Sequence, residues 1–592
     1  VNGFDVNRDN AYQTQIESIM TTAEIAKWTP ISMLDFHGHV KDFLIEPCTT
    51  PHEPNYEYDL LIDNMLEQAH LMGRAGIANT KYEHYVIPYE DYSGGWDDGT
   101  PSYTATYAMY QGALGHTIEM PDINEDSLNA TYSAGLASTN YVLQNKDKLY
   151  NNQLEIFRRG VDNIDSPEAD KYMLNAAGDQ IGRPRGENEN FFPEYYVIPT
   201  DKSLQKNTLE AYRMAEYLIR NDIIVDVTTQ PAMVGNKTYP AGSFVVSMHQ
   251  AKRSYANTVL YDGFDASDFE EMYAELIMNF PDARGFDRDI IRDKGIFDGK
   301  TEKVTNVIMP TTQILVEADY YVIKNSNNDA VRAVNTLLSN NKKVELLLAN
   351  GNGYEKGDYL VSKADMSFVK NDYLLDVVAY SGNAMTKVLM EPKVGALGNG
   401  HLTFVLKELG FHMVTENSNI IVSNATNNVK ADILAGKPYI GIGGSAMSFI
   451  KRSAILPGFD YESTGYEGLL RGIADKDSLV TSGYKAEEVM YNSQGAYITN
   501  SGGAKVITSV VGSENYFKAG WWPGNEVVKG KALAVSQKVG NADVTIFANN
   551  IVNKAHPQHS YRMLANAIFT SLPSTSNTES FTISLENTPN TF

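Results

Sequence analysis

Glu119 sits in residues 102–121, SYTATYAMYQGALGHTIEMP, within a short apolar run over 115–120 that reads as a β-strand. A carboxylate in such a run costs free energy unless it is paired or performs chemistry. Alone it reads as a half-exposed strand position. Three other stretches change that reading. Leu34-Asp35-Phe36-His37-Gly38-His39-Val40 is a strand that ends in histidines. Gly3-Phe4-Asp5-Val6-Asn7-Arg8-Asp9 reads as a strand that ends in an Asn-Arg pair. Between them and Glu119 lies Tyr89-Glu90-Asp91-Tyr92-Ser93-Gly94-Gly95-Trp96. A guanidinium, an imidazole, a phenol and a carboxylate are groups suited to proton transfer and to holding an anionic substrate.

In this order the set resembles the zinc carboxypeptidases of the carboxypeptidase A type, over roughly the first third of the chain. The resemblance implies a role for each residue. Asn7 and Arg8 would grip the C-terminal carboxylate of a peptide, Arg8 bidentately. His37 would be a zinc ligand, preferred over His39 because it comes directly off the strand. His39 would be a neighbour of the site or a plain surface residue, and Asp35 could orient the imidazole. Tyr89, chosen over Tyr92, would close over the substrate. Glu119 would take a proton from water and return it to the leaving amine. The family's H-x-x-E zinc motif, expected upstream of the Asn-Arg pair, has no counterpart here, nor has its second substrate-binding Arg. Catalytic zinc takes three protein ligands plus water, so Zn2+ would need ligands from a missing N-terminal segment. His52-Glu53 does not replace that motif, because Pro51 and Pro54 predict a loop. Asp97 reads as an exposed loop residue.

The elements that must position these groups are those of an α/β protein. Residues 31–36 predict a buried strand between Pro30 and Gly38, and 58–75 a helix with apolar residues at helical spacing. Residues 103–111 and 131–159 predict further helices. At about residue 193 an internal repeat begins: Tyr195-Tyr196-Val197-Ile198 recurs as Tyr320-Tyr321-Val322-Ile323. Helical stretches follow each at 209–220 and 330–339, then strands at 223–227 and 343–348. Each copy closes on Tyr-x-x-Gly and an alternating strand, at Tyr239–Gly242 and Tyr354–Gly357, the second copy being shorter. Neither copy carries a titratable cluster, so both read as scaffold or binding modules.

From about Asn383 a third kind of unit begins, with a strand at 386–389, a glycine-rich turn at 395–400 and a helix at 401–409. Pro438-Tyr439-Ile440-Gly441-Ile442-Gly443-Gly444-Ser445-Ala446 runs from strand through turn to helix. This resembles the class I glutamine amidotransferase-like α/β fold, in which that elbow carries a nucleophilic Cys. Here Gly443 holds the place, and Ser445 comes two residues late. The domain plan is therefore 1–190 carboxypeptidase-like, 191–310 and 311–380 repeated α/β units, 381–575 amidotransferase-like (flavodoxin-like) without a nucleophile, and 576–592 a tail or edge strand.

With 592 residues the chain exceeds what one hydrophobic core supports. A net charge of −24 argues against a nucleic-acid partner. No apolar run is long enough for a membrane span. Cys48, the single cysteine, rules out an internal disulfide. Val1 reads as a processed or trimmed start. With its wealth of Tyr, Asn, Ser and Thr, the chain reads as a secreted or cell-surface bacterial protein. The resemblance implies a secreted metallocarboxypeptidase-like protein acting on peptide or peptidoglycan-peptide, with a cleaved N-terminal fragment as partner. The other reading is a catalytically inactive peptidase-fold scaffold, a homo-oligomer or part of a surface assembly.

Overall fold

The computed structural model describes residues 3–273 and 279–574. The protein is a multidomain α/β molecule whose strands fall, among the described residues, into several separate sheets flanked by helices. The tail expected over 576–592 lies outside the described residues.

The first region is built on a three-stranded sheet ordered Ser32–Gly38, Leu114–Met120, Leu44–Ile45. The first two strands run parallel and the third antiparallel. Leu114–Met120 is buried throughout because it has a neighbour on each side. Ser32–Gly38, expected to be a buried strand, is half-buried instead, because it is an edge strand of this sheet. Helices Ile62–Ala78 and Glu125–Val161 pack on each other and on this sheet. The long helix starts at an N-cap, where Asn124 accepts from the Ser127 amide at 2.8 Å. Its first turn carries Glu125 and Asp126 and its last turn Arg158 and Arg159, matching the helix dipole. The helix Thr104–Tyr110 lies so close to the Glu119 strand that only glycine fits at 115. A Cβ there would come 2.2 Å from the Ala105 carbonyl oxygen.

The stretch read as a strand over 3–9 is a 3-10 turn, Val6–Arg8. Asp5 decides this locally: its carboxylate accepts from the Asn7 amide at 3.0 Å and its carbonyl from the Arg8 amide at 3.1 Å. Likewise 52–53 is no free loop. His52 ends the short strand Thr49–His52, which pairs with Asp97–Asp98.

The two repeated units have the same five-stranded plan, all antiparallel. The first is ordered Asp289–Ile291, Tyr195–Ile198, Phe244–Ser247, Asp226–Thr228, Thr301–Lys303. The second is ordered Val377–Tyr380, Tyr320–Ile323, Tyr359–Ser362, Glu345–Leu347, Thr386–Val388. Sequence similarity marks the three inner strands and the helix, but both sheets gain two outer strands. Thr386–Val388 therefore closes the second unit's sheet rather than opening the next unit. The helices Thr208–Arg220 and Asn328–Ser339 begin alike, with Asn207 and Asn327 as side-chain caps.

The C-terminal region is one large mixed sheet. His412–Met413, Lys393–Leu397, Ile420–Ser423, Tyr439–Ile442 and Ala542–Phe547 lie side by side in parallel. Antiparallel strands such as Ala532–Val539, Lys505–Val510 and Glu467–Ala474 extend it. At the elbow after Tyr439–Ile442, Gly443 takes φ +73°, a left-handed value that suits glycine. The Gly444 amide there donates to Gln494 Oε1 at 3.3 Å.

Candidate functional site

Parallel pairing brings His37 and Glu119 together. In the register of the two strands His37 stands opposite Glu119 and Asp35 opposite Thr117. Both strands finish at the same edge of the sheet. Asp35 shares a face with His37 because strand side chains alternate. Its Oδ2 lies 2.9 Å from His37 Nε2, and Glu119 Oε1 lies 3.7 Å from His37 Nδ1. Each ring nitrogen thus faces a carboxylate. The His37 pKa is raised, chiefly by the Asp35 carboxylate and also by Glu119, against the effect of burial. Glu119 is only 8 % exposed. Burial raises its pKa, while the positive charge of His37 pulls it down.

The Asn-Arg pair reaches this edge from the 3-10 turn. Asn7 Nδ2 lies 3.4 Å from His37 Nε2. Asn7 Oδ1 accepts from the Thr104 amide at 2.9 Å and from its hydroxyl at 3.1 Å, which fixes the side chain at the start of helix Thr104–Tyr110. The turn itself is held by Asn10, whose Nδ2 donates to the Ser102 carbonyl at 3.0 Å. Arg8 sits in an aromatic setting, its guanidinium carbon 4.4 Å from the Tyr103 ring centre and 5.1 Å from that of Tyr273. Its NH2 donates to the Tyr273 hydroxyl at 2.6 Å. Four of the five residues expected at the site, Asn7, Arg8, His37 and Glu119, therefore lie at one edge, with Asp35 beside them.

Tyr89 does not join them. It lies in the short helix Pro88–Asp91, and its ring is stacked 6.2 Å from that of His52. His39 is exposed just past the strand. Asp97, expected on an exposed loop, is 1 % exposed. Its carboxylate accepts from the Tyr273 amide at 2.6 Å and the Gly99 amide at 3.2 Å, which explains a buried Asp on a short strand. His52 is equally buried and pairs through Nδ1 with Asp98 Oδ1 at 2.8 Å. Glu53 is fully enclosed and accepts from Asn55, Thr258 and Tyr261. Both belong to the structural core rather than to the His37 edge.

Around His37 the described side chains place one imidazole between two carboxylates. Zinc needs three protein ligands with open coordination. Among the described residues no group of three or more His, Cys, Asp or Glu side chains is arranged to hold a metal ion. The flanking carboxylates are spread over both ring nitrogens rather than converging on a common point beyond one of them.

At the strand-to-helix elbow after Tyr439–Ile442, Gly443 carries no side chain, and Cys48 is buried in the first region. No family model matches the chain, and no curated protein matches it. Fourteen chains of solved structure match. One is a Thermoplasma acidophilum protein described as a GMP synthase subunit, with 13% identity and a TM-score of 0.22. That match covers 30% of this chain and 92% of the other. A likeness of that strength carries nothing about fold or function.

Tyr273 and Tyr103 are the site residues that sequence reading missed. No local pattern marks Tyr273, because it follows Arg8 by 265 residues and meets it only through tertiary folding.

Proposed function

We propose that the N-terminal region supplies one side of a carboxypeptidase-type hydrolytic site. The convergence of Asn7, Arg8, His37 and Glu119 on one strand edge supports this reading, since they come from three separate stretches. Arg8 would receive the terminal carboxylate of a peptide or peptidoglycan-peptide, with Asn7 beside it. Glu119, shielded from solvent and with a raised pKa, is suited to accept a proton from the attacking water and return it to the leaving amine. On this reading His37 would be a zinc ligand of this chain. The same reading places the protein outside the cell or on the surface of a bacterium. The experiment is release of the C-terminal residue from N-acylated dipeptides by the native material, with Glu119→Gln as control. Hydrolysis that disappears in Glu119→Gln at unchanged melting temperature supports the reading, and hydrolysis that persists in the variant refutes it.

One observation favours the non-catalytic scaffold as a second reading. The imidazole of His37 is flanked by carboxylates on both nitrogens, and Arg8 is already engaged by Tyr273. On that reading the native material hydrolyses no peptide with or without added zinc, and sedimentation shows an assembly.

A further inference from the structure

The segment that precedes Tyr273 is anchored in the C-terminal region. Asp265 bridges to Gly520, the Ala266 amide donates to the Gly520 carbonyl at 2.9 Å, and the Gly520 amide donates to the Phe264 carbonyl at 3.0 Å. Gly520 has φ +128° and no room for a side chain, because a Cβ would come 2.6 Å from the Glu467 carbonyl oxygen. The bare glycine lets the strand Glu467–Ala474 pair closely with Phe517–Trp521, which fixes the strand that the 264–266 segment joins. Two side-chain bonds add to this. Trp521 Nε1 donates to the Phe269 carbonyl at 2.8 Å, and Ser267 Oγ accepts from the Trp522 amide at 3.1 Å.

From that anchor the chain crosses to the Arg8 edge. Glu271 passes Gly94 and Gly95 closely enough that a Cβ on either would touch it. Tyr273 then stacks on Trp96, with ring centres 5.1 Å apart and planes 3° apart. Its amide is held by the buried Asp97 at 2.6 Å, and its carbonyl accepts from the Tyr103 hydroxyl at 3.3 Å. The consequence is that its hydroxyl accepts from Arg8 NH2 at 2.6 Å, where a substrate carboxylate oxygen would otherwise accept. A phenol oxygen is a weaker acceptor for a guanidinium than a carboxylate, so an incoming anion can displace it. Tyr273 is itself 46 % exposed, and the Arg8 side chain keeps 19 % of its surface open to solvent.

We propose that Tyr273 is a substrate-affinity determinant of the Arg8 site, a displaceable plug delivered by a strap that the C-terminal region holds in place. The proposal rests on the reading of Arg8 as a carboxylate receptor. It gives the C-terminal region a role at the site. Carboxylate ligands compete with the Tyr273 hydroxyl, and the Trp521 anchor sets how often the hydroxyl returns.

The test is calorimetric binding of N-acetyl-phenylalanine and of its amide to the full chain and to Arg8→Met, Tyr273→Phe and Trp521→Phe. The Phe variant keeps the stack on Trp96 and the backbone bonds and removes only the competing hydroxyl. Expected is that the acid binds the wild type better than the amide, and that Arg8→Met abolishes the difference. Tyr273→Phe should bind the acid about tenfold tighter, in keeping with one charge-assisted hydrogen bond no longer in competition. Trp521→Phe should tighten it by a smaller factor, and amide binding should stay the same in both. Unchanged or weaker acid binding in Tyr273→Phe, with Arg8-dependent discrimination intact, overturns the plug and leaves the site reading standing. Absence of any acid–amide difference in the wild type and in Tyr273→Phe overturns both.

Discussion

At the scale of single residues, burial sets the charge states. His116 is fully buried, with Nδ1 on the Glu46 carbonyl and Nε2 3.0 Å from Gln68 Oε1. Burial lowers its pKa to about 4. Its unfolded value lies near 6.5, so above that pH both states are neutral and the group costs nothing. As pH falls from 6.5 toward 4, the unfolded state takes the proton first and stability is lost. The full difference is about 3 kcal/mol. Urea titrations at pH 7 and pH 4.5 should show a steeper acid loss in the wild type than in His116→Gln, whose side chain cannot protonate. His37 runs the other way, because its folded pKa is raised. Its pairing with Asp35 is fully present below the unfolded value and fades as pH rises through the folded one. Asp35→Asn should therefore lower the His37 pKa seen by NMR, and a value that does not move would remove Asp35 as its cause. For Glu119, the expected loss of catalysis in Glu119→Gln is about 10²- to 10⁴-fold in kcat, read from the rate of acyl-dipeptide hydrolysis.

At the scale of elements, the closest approach is that of helix Thr104–Tyr110 to the Glu119 strand across Gly115. Gly115→Ala would push a methyl group against the Ala105 backbone, an obstacle that cannot rotate away. A cost of about 1–3 kcal/mol is expected, measured as a lowered urea midpoint. Because Thr104 holds Asn7, the shift should also disturb the edge where Arg8 sits. An unaltered midpoint would mean that helix and strand are less rigidly joined than they stand here.

At the scale of the whole molecule, buried charge joins regions distant in sequence. Glu57 is almost fully enclosed, with Arg159, Arg183 and Arg253 at 2.9, 3.4 and 2.7 Å from its carboxylate. Arg253 comes from the helix Arg253–Leu260, beyond the first repeated sheet's inner strands, so the cluster ties the first region to that unit. The arginines hold the Glu57 pKa below its usual value despite the opposing effect of burial. Glu57→Gln would leave guanidinium groups partly uncompensated, at a cost of about 3–5 kcal/mol. Thermal unfolding of this multidomain chain should then separate into resolved steps rather than shift as one. At the far end, Tyr12 stacks on His556 with ring centres 3.3 Å apart, and Arg284 donates to the Tyr12 carbonyl. The Asn7-Arg8 turn is thus followed by a segment packed against the first repeated unit and the C-terminal region.

The sequence by itself determined the α/β class, the repeat, the Glu119 and His37 strands and the glycine elbow at 443. Each follows from local spacing: apolar alternation, helical periodicity, or a residue that takes a left-handed backbone without steric cost. Asn7 and Arg8 were legible as types, but the stretch that carries them read as a strand, whereas the Asp5 side chain bends it into a turn. Of the outer strands, only Thr386–Val388 was legible, and it was assigned to the next unit; the others are short and acquire their partners only when the sheet closes. Tertiary structure alone decided that Asp97 and His52 are core residues, and that Tyr273 rather than Tyr89 stands over Arg8. Those outcomes depend on contacts between residues far apart in the chain, where neither composition nor periodicity carries a signal.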